Sequence, residues 1–287
     1  MPPAIIKQVT TPIQPATQGG VLDRIRKVTE MKAGIRISLY GNPKSGKTRL
    51  ACTFPKPLLL IGAEDGTASV VGMEGVDFIL LERCEDLRDL TNLLKTGQYK
   101  TAVLDSGTSF RDMRIKEILR LSEMPVQKGF GFASREQWGE AAMSIKQLLR
   151  PMFDCARQGI LENLVIIAQE STYNGGEDGV SSDLIKPTVT SALGKSLADW
   201  VNQECDCIGQ TFTRMQVVTK THQPIANGPT VTMTEKTGAI DYCLRIGTDG
   251  VYQAGIRVRQ GLTLQQAVLT DPSYDRLLRV IKGEKVE

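Results

Sequence analysis

Residues Gly41-Asn42-Pro43-Lys44-Ser45-Gly46-Lys47-Thr48 spell G-x-x-x-x-G-K-[ST] and are entered from the apolar run Ile35-Arg36-Ile37-Ser38-Leu39-Tyr40. A phosphate-binding loop of this kind dictates its own surroundings, with a buried strand before it and a helix after it. Gly41 and Gly46 let the backbone curl so that successive N–H groups, and the positive end of the following helix, face phosphate oxygens. Lys47 is placed to reach β- and γ-phosphates, and the Thr48 hydroxyl to ligate Mg²⁺. Asn42, Pro43, Lys44, Ser45 and Arg49 complete the expected cradle, with Arg49 opening a helix read over 49–54. The implied ligands are ATP and Mg²⁺, although the motif itself leaves the choice of base to other contacts.

The rest of the chain alternates in the way such a loop requires. Apolar runs at 58–61, 77–81, 101–105 and 164–168 read as strands, and 84–95 and 137–157 as helices between them. Continuous apolar strands separated by helices imply a mostly parallel sheet covered on both faces. Beyond Asp206 the signal changes to short alternating segments at 215–220, 230–235 and 242–246, expected to extend that sheet as antiparallel strands, and a last helix is read at 273–282. Residues 1–20, rich in Pro, Thr and Gln, carry no period of 2 or 3.6 and read as a flexible arm. The expected organisation is one α/β domain over 21–287, with its core at about 35–210 and a β extension at about 211–270. A helical stripe at 21–32 (Val21, Leu22, Ile25, Val28, Met31) precedes the core.

Composition excludes some classes. With 41% hydrophobic and 5% aromatic residues in 287, the chain affords a sizeable core. The longest apolar runs are far too short to span a bilayer, and the start Met-Pro-Pro-Ala lacks the regions of a signal peptide, so a cytoplasmic protein with no membrane partner is expected. Six cysteines without C-x-x-C spacing and one histidine, His222, argue against structural zinc. Cys205 and Cys207 are read as neighbours on one face of a buried strand. A net charge of +3 permits nucleic-acid binding without arguing for it.

Two further signals point at the same crevice. Val103-Leu104-Asp105-Ser106 ends a buried strand on an acid that can hold Mg²⁺ beside the Thr48 hydroxyl. A strand-ending Asp that merely caps the next turn is the competing reading. Strand 58–61 runs into Gly62-Ala63-Glu64-Asp65-Gly66, which sets two carboxylates at a strand end, where one can deprotonate an attacking water.

Taken in order, Gly41 to Thr48, Glu64, Asp105-Ser106 and Gln169 resemble the RecA-type recombinase ATPases across roughly residues 35–210. The resemblance implies a RecA-like P-loop core, Glu64 as catalytic base, Lys47 in catalysis, and Gln169 as a γ-phosphate sensor acting on the loop after it. A Gln that caps a strand end is the plainer alternative. Within that superfamily the chain looks most like the compact phage-encoded ATPases of the Sak-four type, used in single-strand annealing and recombination. The match rests on Tyr40-Gly41-Asn42-Pro43-Lys44-Ser45-Gly46-Lys47-Thr48, Ala63-Glu64-Asp65-Gly66, Trp138-Gly139 opening a helix, and Asn163-Leu164-Val165-Ile166-Ile167-Ala168-Gln169-Glu170.

RecA-like proteins bind DNA through two loops, which here correspond to about 122–135 and 171–190. In the first, Phe130 and Phe132 between Lys128 and Arg135 could stack bases and contact phosphates, or the rings could pack into the core. The second carries Tyr173 and Lys186 in a polar stretch without period, which reads as a ligand-ordered loop or as plain surface. Arg257 and Arg259, two apart on a strand, are candidates to reach the nucleotide of a neighbouring subunit, with solubility as the competing role. Lys220 and Lys236 are weaker candidates for the same task. The resulting expectation is a homo-oligomeric, ring or filament ATPase acting on single-stranded DNA by annealing or strand exchange. The resemblance also implies a single-strand-binding protein as partner. A nucleotide-gated scaffold or helicase-like motor of phage replication is the alternative.

Overall fold

The computed structural model describes residues 34–66, 68, 70–122, 133–173, 188–222, 231–258 and 261–286. The expected arm at 1–20 and stripe at 21–32 lie outside the described residues, as do Lys128, Phe130, Phe132, Lys186 and Arg259.

Strand β1 (Ile35–Gly41) delivers the P-loop into helix α1 (Lys47–Ala51), and strands β2 (Leu58–Gly62) and β3 (Val76–Leu80) follow. Helix α2 (Asp86–Leu94), strand β4 (Thr101–Asp105), helices α3 (Gly107–Leu119) and α4 (Arg135–Arg157), and strand β5 (Asn163–Tyr173) complete the parallel part. Strand β6 (Thr188–Ser191), helix α5 (Lys195–Glu204), the long strands β7 (Cys207–His222) and β8 (Val231–Arg245), the short β9 (Gly255–Ile256) and β10 (Val268–Thr270), and helix α6 (Tyr274–Ile281) follow.

The strands form one sheet in the order β10-β8-β7-β1-β5-β4-β2-β3, with β6 on β5 and β9 on β7. From β7 to β3 every neighbouring pair is parallel, whereas β8 and β10 extend the sheet antiparallel. This is the α/β architecture expected from the apolar runs, a mostly parallel sheet flanked by helices and extended by antiparallel C-terminal strands. Its sheet order places β5 between the P-loop strand and the strand that ends in Asp105.

The apolar runs are explained by a sheet with two covered faces, since alternate residues point to opposite sides. Leu59, Ile61, Leu104, Leu164 and Ile166 pack with Leu87, Leu90, Phe110, Ile145 and Met152 of α2, α3 and α4. Leu58, Leu60, Val103, Val165 and Ile167 pack with Leu50 and Phe54 after β1 and with Leu277 and Val280 of α6.

Several elements differ from expectation. The three C-terminal segments belong to one long β7–β8 ribbon, with a register shift between Met215 and Val217. Strand β3 closes the sheet edge with Phe78, Ile79 and Leu80 exposed, so it is not covered on both faces. Cys205 caps α5 while Cys207 opens β7, so the two do not share a strand, although both are buried. Helix α4 starts two residues earlier than the apolar spacing suggests, because Ser134 and Gln137 form a reciprocal capping box. Among the described residues no helix is long and apolar enough to cross a membrane.

Candidate nucleotide site

The site forms where several parallel strands end together. Gly41 pairs in register with Gln169 of β5 on one side and Thr211 of β7 on the other, and Gly62 pairs with Asp105. The Ala63 N–H donates to the Asp105 carbonyl at 3.0 Å, which fixes how the chain leaves β2 toward Glu64. A cleft of about 390 Å³ opens there, lined by Lys47, Thr48, Glu64, Asp105 and Gln169 together with Phe78 and Tyr242.

The loop has the backbone that a phosphate cradle needs. Lys44 and Gly46 adopt φ of 65° and 87°, the left-handed region, which curls the chain around its own amides. A Cβ on Gly46 would lie 2.8 Å from the Tyr242 ring, and one on Gly41 would collide with the Thr211 carbonyl and hydroxyl oxygens. Ser45 and Thr211 share a hydroxyl hydrogen bond of 2.6 Å beneath the loop. No side chain caps α1, so its first amides are left to the cleft.

Lys47 is buried, and its ammonium donates to the carbonyls of Gly41 at 2.9 Å and Asn42 at 2.7 Å, and to Gln169 Oε1 at 3.4 Å. Burial lowers its pKa, while Asp105, Glu170 and Glu64 oppose that shift. The Thr48 hydroxyl donates to Asp105 Oδ2 at 2.5 Å. Burial holds the Asp105 carboxyl above the ordinary carboxylate range, against the opposing pull of Thr48 and Lys47. A hydroxyl and a carboxylate side by side at a strand end are hard oxygen donors of the kind Mg²⁺ takes with its remaining waters and phosphate oxygens. The fit to a Mg²⁺–nucleotide is therefore good. Glu64 is exposed at the mouth of the same cleft. The Gln169 N–H donates to the Thr108 hydroxyl at 3.0 Å, so α3 orients the residue that meets Lys47.

The remaining sequence candidates are dispersed. Arg135 opens α4 beside Arg111, Trp138 and Lys195 in a groove of about 320 Å³. Tyr173, at the end of β5, lines a separate cavity of about 500 Å³ with Tyr252 and Lys195. Arg257 is tied down at the opposite, amino-terminal edge of the strands, by Asp206 at 3.2 Å and the Gln203 carbonyl at 2.7 Å. Lys236 is exposed on the β8 ribbon, and Lys220 pairs with Met233 across it.

Sequence reasoning misses Tyr242, whose ring lies against Gly46 with the Arg49 guanidinium 5.4 Å from its centroid. It also misses Phe78, Thr211 and Glu170. No spacing rule links these positions to the P-loop; strand register brings them there.

A search of curated proteins returns no match for this sequence. Among solved structures, the crystal structure of the RadB recombinase aligns with a TM-score of 0.38 at 15% identity, over 77% of this chain and 91% of that one. The profile of a family described as AAA domain matches residues 33–241, which include every strand that ends at the cleft. The chain belongs to this AAA-domain family.

Proposed function

We propose that this protein binds ATP with Mg²⁺ and hydrolyses it, and that it works as a homo-oligomer on single-stranded DNA, promoting annealing or strand exchange in phage recombination. The observation that best supports the enzymatic part is the gathering of a buried lysine, a hydroxyl–carboxylate pair and a second carboxylate in one cleft. Lys47 and the P-loop amides hold the phosphates. Thr48 and Asp105 hold Mg²⁺, which when bound neutralises charge on the phosphate oxygens. Glu64 accepts the proton of the attacking water. Gln169 is assigned to sense the γ-phosphate and pass its presence along β5, a role supported by its hydrogen bond to Lys47. Tyr242, flanked by Arg49, offers an aromatic face to the base.

The DNA part rests on the sequence resemblance and on the cations Arg111, Arg135 and Lys195 set around Trp138, a pairing of charge and aromatic surface that suits unpaired strands. The test is ATP hydrolysis with and without single-stranded DNA at several protein concentrations, with Lys47→Ala as control. Stimulation that grows with protein concentration and is abolished in Lys47→Ala is the expected result. Full turnover by Lys47→Ala overturns the site assignment, and DNA-indifferent turnover overturns the DNA assignment in favour of a protein partner.

A further inference from the structure

The residue after Gln169 is bonded into the P-loop by a different route. The Glu170 carboxylate accepts from Asn42 Nδ2 at 2.5 Å and from Gln210 Nε2 at 3.3 Å. Gln210 Oε1 in turn accepts from Arg245 Nε at 3.1 Å. The Arg245 guanidinium is held by an ion pair of 2.6 Å to Asp249 and lies 4.5 Å from the Tyr252 ring centroid and 5.3 Å from that of Phe212. Asp249 accepts from the Val251 N–H at 2.9 Å, and Val189 of β6 exchanges main-chain bonds with Val251 at 2.7 Å and Gln253 at 2.9 Å. An unbroken polar chain thus runs from the P-loop to the turn at 248–253 and onto β6.

Coupling needs a free-energy difference between two states, not mere connection. Glu170 supplies one. It accepts from Asn42, whose carbonyl in turn accepts from the Lys47 ammonium at 2.7 Å, so its charge sits beside the phosphates that Lys47 is placed to hold. A triphosphate in the cleft would repel this carboxylate and weaken its bond to Asn42, leaving it to Gln210, which Arg245 holds from the other side.

We propose that Glu170, Gln210 and Arg245 are positioning residues that carry nucleotide state from Asn42 to the 248–253 turn and β6, by a route separate from Gln169. This rests on the nucleotide reading of the cleft. It predicts that the amide bonds joining β6 to the turn change protection when a triphosphate binds.

The test is hydrogen exchange at the amides of Val189, Val251 and Gln253 in the full chain, with and without a slowly hydrolysed ATP analogue and Mg²⁺. Nucleotide binding is measured separately with a fluorescent ATP analogue. In the unaltered protein, exchange at these amides should change by about fivefold or more on binding. Glu170→Gln, which keeps the shape and removes the charge, should bind the analogue with a higher ATP-to-ADP affinity ratio and lose most of that nucleotide-dependent change. Gln169 lines the cleft itself, so Gln169→Ala is read only at saturating analogue, where its exchange response at these amides should persist even if affinity or turnover falls. A purely structural role would alter exchange equally with and without nucleotide. If Glu170→Gln folds poorly, Asp249→Asn on the exposed turn cuts the far end of the chain and should lose the change as well. Retention of the full response in a folded Glu170→Gln or Asp249→Asn protein overturns the relay, as does an unaltered protein that binds nucleotide without any response there. Failure of the unaltered protein to bind the fluorescent analogue instead overturns the reading of the cleft itself, and the relay with it.

Discussion

Asp105 and Lys47 are held against their ordinary ionisation by the same burial that makes their charges effective. Mg²⁺ takes the ionised carboxylate, and the ionised fraction falls as pH drops through a raised pKa. The affinity for Mg²⁺ should therefore begin to fall at a higher pH than an ordinary carboxylate would allow, and Asp105→Asn should bind weakly with no such pH dependence. Metal titrations of the nucleotide complex between about pH 5 and 8 read this directly, and an unaltered pH profile in the variant would remove Asp105 from the metal site. Glu64, proposed as the base, is given a separable task. Glu64→Gln should keep nucleotide affinity within about twofold while lowering turnover by about 10²-fold or more, as measured by steady-state hydrolysis beside equilibrium binding. Unchanged turnover would move the base to Asp65. Lys47, Thr48, Asp105, Glu64 and Gln169 are legible in the amino-acid sequence, because each sits near a strand end whose apolar run announces it. Tyr242 and Glu170 are not. Tyr242 is an ordinary residue of an alternating strand, and only the pairing of β8 with β7, and of β7 with β1, carries it over Gly46.

At the scale of elements, legibility follows how much apolar contrast each segment carries. Strands β2, β4 and β5 are buried on both faces and read as unbroken apolar runs. Helix α3 has no such signature. Its buried positions, Gly107, Thr108, Phe110 and Ile115, are half polar or small, so no apolar stripe announces it. Its start is fixed by Ser106, whose side chain accepts from the Ser109 N–H at 3.2 Å, and a Cβ on Gly107 would crowd the Leu193 and Ile166 side chains at 3.2 and 3.3 Å. The β7–β8 ribbon reads as separate pieces because Met215, Val217 and Ile240 are exposed and its register shifts, which breaks the period-2 pattern. The start of α4 depends on a short signal, Ser134-Arg135-Glu136-Gln137, in which Ser134 Oγ accepts from the Gln137 N–H at 3.3 Å and Gln137 Oε1 accepts from the Ser134 N–H at 2.7 Å. Ser134→Ala should cost about 1 kcal/mol in chemical denaturation, with Ser134→Thr close to neutral. Equal losses in both would assign the effect to packing and not to the cap.

At the scale of the molecule, the question is whether the C-terminal part belongs to the same folding unit as the matched region. The family match ends at residue 241, inside β8, yet the core does not end there. Leu244 and Ile246 of the β8 end, Leu269 of β10, and Leu277 and Val280 of α6 share one buried cluster with Ile37, Val165 and Ile167 of the central strands. The Tyr274 ring meets Phe54 at 4.8 Å between centroids, and its N–H donates to the Thr53 hydroxyl at 2.9 Å, so α6 closes directly over the turn that follows the P-loop helix. A helix that completes the core under the nucleotide site should unfold with it. Leu277→Ala, at a site 1% exposed, should then cost about 2–5 kcal/mol and shift one cooperative denaturation transition, observed identically by far-UV circular dichroism and by loss of bound fluorescent nucleotide. Two separated transitions, with nucleotide retained through the first, would show that the C-terminal elements fold apart from the P-loop core and that α6 contributes little to holding the cleft.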